Sequence, residues 1–326
     1  MFAEHERLLG RPISALLEAT RTTAPELLDA SRVCSHLLTD VARGEGHVLV
    51  TLNRVAGDCA MYSNTGPLAH DGAGTRDRLL RSEASFRQAL SSRYVIYQAP
   101  ATTISHHGPF CSMFMGIDNR QLLPPFFPLY SNEDGVFGHC FELCAATAYT
   151  GHIPLSLIHD PDGDRSYSPD RWTTIRVSDA VLACVALCCV ENGAADLIPR
   201  QRRLARRLMA LASMPARDFV AELRNGLWQR TAVILARHAR LLAAYGAKPE
   251  FWASELQIED WRLRSAVQRE DYIVPLELAR TCNPVEALCV LQRLVFQFGE
   301  LLLWWPDIVS RAKSLRACGG RTVLPS

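Results

Sequence analysis

The spacing of apolar residues changes character along this chain. Over residues 4–45 it is helical, with Leu8, Leu9, Ile13, Leu16 and Leu17 on one face. Pro25 and Asp29 then mark another helix start. HVLVTL at 47–52 is a short β-branched run that predicts a strand. RVAGDCAMYSNTGPLAHDGAGT, rich in Gly, Asn and Asp, predicts a long loop. Helical period returns over 76–92, and YVIYQ (94–98) and FCSMFM (110–115) predict a second and a third strand. From Glu133 the pattern is helical to about Thr147, and IPLSLIH from Ile153 predicts a short strand or extended arm. Asp160–Pro169 is a polar turn. From Val177 onward the pattern predicts helices only, over 177–192, 199–212, 216–245, 249–267, 274–281 and 284–313, punctuated by Gly246, Pro249, Pro275 and Pro284.

The fold class that follows is α/β, a mixed sheet with flanking helices, followed by an all-α C-terminal domain. The division falls between a mixed part at 1–165 and an all-helical part at 170–315. No internal repeat of useful period is present.

Composition narrows the classes. The chain has 326 residues, 48% of them hydrophobic, and a formal net charge of +1. A general nucleic-acid binder would carry a basic surplus, so none is expected. Lys248 and Lys313 are the only lysines, a skew to Arg that suits bidentate binding of phosphates and carboxylates but equally fits codon usage. Eleven cysteines, an odd number, do not make a complete disulfide framework. Cys140 and Cys144 lie one helical turn apart, as on a core face, and no pair has zinc-ribbon spacing with a second pair to match. The N-terminal MFAEHERLLGRPIS carries mixed charge and is not a targeting peptide, so a cytoplasmic protein with reduced thiols is expected. No membrane span is expected either: Val181–Val190 is short, and Glu286–Val309 is interrupted by Arg293 and Glu300.

Candidate chemistry concentrates between Gly116 and Asp160. Asn132-Glu133-Asp134-Gly135 opens a helix. Asp and Asn are good N-caps and Glu suits the first turn, so capping alone accounts for the composition. A second account is a general base, because a carboxylate there can accept a proton from a hydroxyl. Asp118-Asn119-Arg120 reads either as a β-turn or as a set of ligands for a hydroxyl-rich or phosphorylated compound. His159 ends an apolar strand before Asp160, Asp162 and Asp164. The Gly of that turn comes too early for an EF-hand, and Arg171 stands where the closing Glu belongs. Ser105-His106-His107 lacks a G-x-S-x-G elbow and reads as a loop, with His106 or His107 near a site. Gly57–Asn64 is a small, polar and aromatic loop of the kind that contacts a sugar or peptide. RQRRLARR at 200–207 is a solvated helix face or a patch for an acidic partner.

Taken in order, GDCAMYSN, RSEASFRQALSSR, TTIS, MGIDNRQLLPPFFPLYSNEDGVFG and IPLSLIHDP resemble a family of bacterial glycosyltransferase-like proteins with the GT-A fold, over about 55–165. The resemblance implies transfer of a sugar from a nucleotide sugar to a hydroxyl acceptor with divalent Mg or Mn. It implies Asp134 as catalytic base beside Glu133, and His159 as a metal ligand. It places Gly116 in the glycine-containing loop, and the residue-level readings above put substrate contacts at Asp118, Asn119, Arg120, Asp58, Met61, Tyr62 and Ser63. The family's Asp-x-Asp, which ends a strand of a nucleotide-binding βαβ unit, has no counterpart upstream of Glu133. Two outcomes follow: a separate protein supplies that half, or the chain is a non-catalytic binding subunit that kept the acceptor half. A metal-dependent hydrolase using the same acidic cluster is a third, weaker reading.

Overall fold

The computed structural model describes residues 1–27, 33–59, 61, 66–70, 72–106, 110, 114–163, 165–167, 174–188 and 196–318. Tyr62, Ser63, His107 and Asp164 lie outside these residues.

Among the described residues, three α-helices precede the sheet: α1 (Phe2–Leu8), α2 (Ile13–Thr23) and α3 (Ser35–Ala42). Strand β1 runs from His47 to Asp58, well past the expected end at Leu52. Asn53 and Arg54 break the apolar pattern, but Arg54 pairs with Ser156 of the neighbouring parallel strand, and register shifts after Val48 and Leu52, the second at Asn53, absorb the irregularity. The helix expected over 76–92 divides into α5 (Ala73–Leu79) and α6 (Glu83–Ser91), because Ser82 accepts from the Ser85 amide as a new N-cap. A single turn, α4 (Gly66–Ala69), precedes them. Strands β2 (Tyr94–Ile96) and β3 (Thr103–Ser105) follow, then β4 (Met115–Ile117), at the end of the segment expected to be a strand. Helix α7 (Glu133–Cys144) leads into β5 (Ala148–His159), a full strand where the sequence pattern marks only its second half.

The sheet is mixed. β1 and β5 run parallel along nearly their whole length. β4 and β2 share the other edge of β1, antiparallel, at Val50–Leu52 and Ala56–Asp58. β3 pairs antiparallel with β5 at Thr150–His152. α7 lays Phe137 and Phe141 on Leu49, Val50 and Leu52.

The helical part comprises α8 (Val177–Leu187), α9 (Leu197–Ala212), α10 (Ala216–Ala244), α11 (Glu250–Gln268), the short α12 (Leu276–Ala279) and α13 (Pro284–Ala317). Asn283 and Glu286 form a capping box at the start of α13. By length and composition α13 is the one helix among the described residues able to cross a bilayer, yet Leu291, Val295, Phe298 and Leu302 on its inner face are buried against α8, α9 and α10. The main core does not stop at the boundary between the two parts. Val136, Cys140 and Cys144 of α7 join it, and Arg200 and Trp305 donate to the carbonyls of Leu143 and Leu123. A separate cluster docks α4 and α6 on α10 and α11, where the Trp252 indole donates to Leu68 O and Arg76 lies over the Tyr245 and Trp252 rings.

The nine cysteines among the described residues are free thiols. Cys140 and Cys144 face the core, and burial pushes the Cys144 thiol up to about 12. They act as small apolar side chains, without the thiolate that reactivity requires.

Candidate functional site

Ligands in open α/β sheets collect beyond the carboxyl ends of parallel strands. At that end of β1 and β5 the chain gathers Asp58, Met61 and His159, three of the residues expected at a site. Arg93, between α6 and β2, grips Asp58 with both arms at 2.9 and 3.0 Å and donates a third bond to Met61 O at 3.1 Å. Arg165 adds a longer contact to Asp58 at 3.8 Å. Asp58 is 1% exposed. Its carboxylate holds the loop after β1 in place through Arg93. Cys59 meets the Tyr167 hydroxyl at 3.2 Å, and that hydroxyl donates to Ser92 O. Burial is the largest cause of the raised Tyr167 pKa.

His159 bonds through Nδ1 to Asp58 O at 2.7 Å. A carbonyl only accepts, so Nδ1 carries the proton and a neutral ring keeps its lone pair on Nε2. Beside it Tyr94 donates to Asp160 at 2.8 Å.

Asp118, Asn119 and Arg120 occupy the opposite end of β1. The Asp118 amide donates to Leu49 O at 2.9 Å. From Leu49 to Asp58 the strand covers roughly 25–30 Å at ~3.3 Å per residue. Arg120 donates to both oxygens of Asp118, at 2.7 and 3.0 Å, and these bonds hold the Asp118 carboxyl below its ordinary pKa. The pair braces the loop after α1, where Arg120 also reaches Leu9 O. Asn119 is exposed. Gly116 sits within β4, opposite Thr51.

Glu133 and Asp134 are half-buried in the first turn of α7. The approach to them is unusual. Tyr130 and Asn132 both have left-handed backbone, with φ of 64° and 70°. Each costs on the order of 1 kcal/mol without a glycine's freedom, and such residues cluster at functional sites. Asn132 gives no side-chain cap. Its amide folds over Gly135 instead, where a Cβ would meet Asn132 Oδ1 at 2.5 Å. Asp134 accepts from the Gly135 amide at 2.8 Å. Among the described residues no three His, Cys, Asp or Glu side chains converge as a metal-binding group, so Glu133, Asp134 and His159 do not form one.

Ser105 lies in β3 with its hydroxyl 2.7 Å from Nε2 of His152. The pair invites comparison with a hydrolase. The third member decides against it: Arg54 donates to His152 Nδ1 at 2.9 Å. Nδ1 is therefore the acceptor and Nε2 carries the proton, donating to Ser105, the reverse of what an activated nucleophile needs. Burial first, and Arg54 second, lower the His152 pKa to about 4. His106 and His36 both use Nε2 toward Ala146 O, with ring centroids 4.0 Å apart. Sequence patterns give no sign of Arg93, Arg54 or His152, because each meets its partner across strands with no periodic signature.

No protein-family model, no curated protein and no solved structure matches the chain.

Two stability measurements test these assignments. Asp58→Asn leaves Arg93 buried without its counter-charge and should cost about 3–5 kcal/mol in urea unfolding; a loss under 1 kcal/mol would remove the structural role. The folded chain holds His152 neutral while the unfolded chain takes up a proton below pH 6.5, so stability should fall between pH 6.5 and about 4. His152→Gln should flatten that window, and an unchanged slope would show that other groups govern it.

Proposed function

We propose that this chain is a glycosyltransferase-like protein that carries the acceptor side of the reaction. Asp134 takes the proton of an acceptor hydroxyl and Glu133 orients that hydroxyl. One observation carries the reading: two adjacent, half-buried carboxylates stand at the start of a rigidly packed helix, behind two non-glycine residues in left-handed conformation. The chemistry balances simply. The acceptor oxygen forms a bond to the anomeric carbon of a nucleotide sugar, the bond from that carbon to the diphosphate breaks, and the hydroxyl proton passes to Asp134. The sequence resemblance supports the same roles.

In such chemistry Mg or Mn neutralises the departing diphosphate. The residues on hand fit that ion poorly. His159 offers a lone pair on Nε2, but the Asp58 carboxylate beside it is committed to Arg93, and these ions prefer several oxygen ligands.

A second reading, a binding subunit whose nucleotide-binding half is a separate protein, is favoured by a different observation. Ile96 and Ile158, 79% and 80% exposed, flank Ala56 in one row across β2, β1 and β5, with Tyr94 beside them. Exposed apolar sheet surface of this kind suits a protein partner.

Asp134→Asn should lower sugar transfer at least ~100-fold, the usual minimum for loss of a general base, with an unchanged unfolding midpoint. Full transfer by the variant would end the assignment. Calorimetry of the isolated chain with sugar nucleotides and Mn²⁺ separates the two readings: tight binding contradicts the subunit, and no binding favours it.

A further inference from the structure

Thr51 stands between two glycines. Across β4, β1 and β5 its row reads Gly116, Thr51, Gly151. The sheet therefore has a depression on each side of one hydroxyl, and α1 lies in it. A Cβ on Gly116 would meet His5 Nδ1 and Leu9 Cδ1, each at 2.9 Å, and a Cβ on Gly151 would meet Leu8 Cδ1 at 3.0 Å. A side chain at Gly116 would collide with Thr51 and with His5, and one at Gly151 would press on Leu8. His5 is 4% exposed, with Nδ1 2.7 Å from Thr51 Oγ1 and the ring edge-on to Phe114. Its other nitrogen, Nε2, is buried without a hydrogen-bond partner among the described residues.

A neutral imidazole tolerates that arrangement, at the cost of one unmade bond. An imidazolium has two N–H donors and a full charge. Nε2–H would then be a buried cationic donor with no acceptor, the costliest state a side chain can take. The surroundings offer little compensation. On α1, Glu4 pairs with Arg7 and Glu6 is exposed. On β5, the Tyr149 hydroxyl is committed to Asp40 of α3, and His152 to Arg54 and Ser105. On β1 the facing group is the Thr51 hydroxyl, and His47 at the strand's start is exposed. Near Leu9 and Gly10 the charges are Arg120 and Asp118, bonded to each other. A helix of 7 residues has little intrinsic stability to oppose its departure.

We infer that α1 is a latch on the sheet that protonation of His5 releases. Burial, with the amino-terminal charge second, keeps the His5 pKa below its ordinary value. The ring is thus neutral in the closed form and takes up a proton on opening, so release grows as pH falls below about 6.5. Opening bares the Thr51 hydroxyl between its glycines and frees Leu9 O from Arg120, at the strand that leads to Asp118. The inference does not rest on the glycosyltransferase reading.

Amide hydrogen exchange of the full chain at pH 7.0 and 5.5, corrected for intrinsic rates, tests it. One titrating proton raises the opening constant by at most tenfold per pH unit, so amides of α1 should exchange several-fold faster at pH 5.5, in excess of any change at Val50–Asn53. His5→Gln keeps an amide for Thr51 but cannot titrate, and its α1 exchange should be flat across that range. Thr51→Val, which keeps the titrating ring, should open faster at both pH values with the wild-type slope. Equal pH dependence in wild type and His5→Gln, or a flat wild type, would overturn the latch. So would loss of the slope in Thr51→Val.

Discussion

Parallel pairing of β1 with β5 is the constraint on which the rest of the structure depends. Each strand has 12 residues, and a backbone of that length in a protein interior must find hydrogen-bond partners along both edges. β1 meets the requirement by giving one edge to β5 and dividing the other between β4 and β2. The division fixes the geography of the molecule. β4 brings the chain from Asp118 toward α7 at one end, and β2 brings Arg93 to Asp58 at the other. A parallel pair also needs a long crossover. The segment between β1 and β5 carries α4–α7, β2, β3 and β4, so nearly every polar group of interest lies on that crossover or on the strands it joins.

Charges on this frame are placed by the need to neutralise them. Asp58 with Arg93 and Asp118 with Arg120 are both Arg–carboxylate forks, and forks of this kind lock a loop because both hydrogen bonds must break together. The two differ in depth. Asp58 is buried with its partner buried, so neither can be released cheaply. Arg120 is mostly exposed, so its pair contributes modestly and yields more readily. His152 shows the same economy in neutral form, accepting from Arg54 and donating to Ser105.

The sequence made the helices of the helical part legible, with α10 and α11 close to their expected bounds while α8 ends at Leu187 and α13 runs on to Ala317, since Leu204, Leu208 and Leu211 of α9, and Leu291, Val295, Phe298 and Leu302 of α13, keep helical spacing on one buried face. The acidic turn before α7 was legible as well, through its Asn-Glu-Asp-Gly run. The second half of β1 was not. From Arg54 onward the pattern read as loop, and only pairing with the neighbouring strands turns Arg54–Asp58 into sheet. Asp58 read as a ligand for the same reason. A carboxylate in a Gly-rich segment carries no mark of the guanidinium 35 residues away that neutralises it. The left-handed conformations of Tyr130 and Asn132 had no signal, because neither residue is the glycine that such backbone usually announces.

These differences in commitment bear on where chemistry can occur. A ligand recruiting Asp58 must first part it from Arg93, and breaking a buried pair costs about 3–5 kcal/mol. That is roughly a hundredfold to several-thousandfold in affinity before any new contact is made. A ligand approaching Glu133 meets no such toll. The carboxylate is half-buried on the first turn of a helix, where the backbone dipole favours negative charge. The strain at Tyr130 and Asn132 is held by α7 itself, whose Val136, Phe137, Cys140 and Phe141 are fully packed. The packed helix holds Glu133 and Asp134 in fixed positions, and a group held in place before a ligand arrives leaves less of the binding energy to be spent on ordering it.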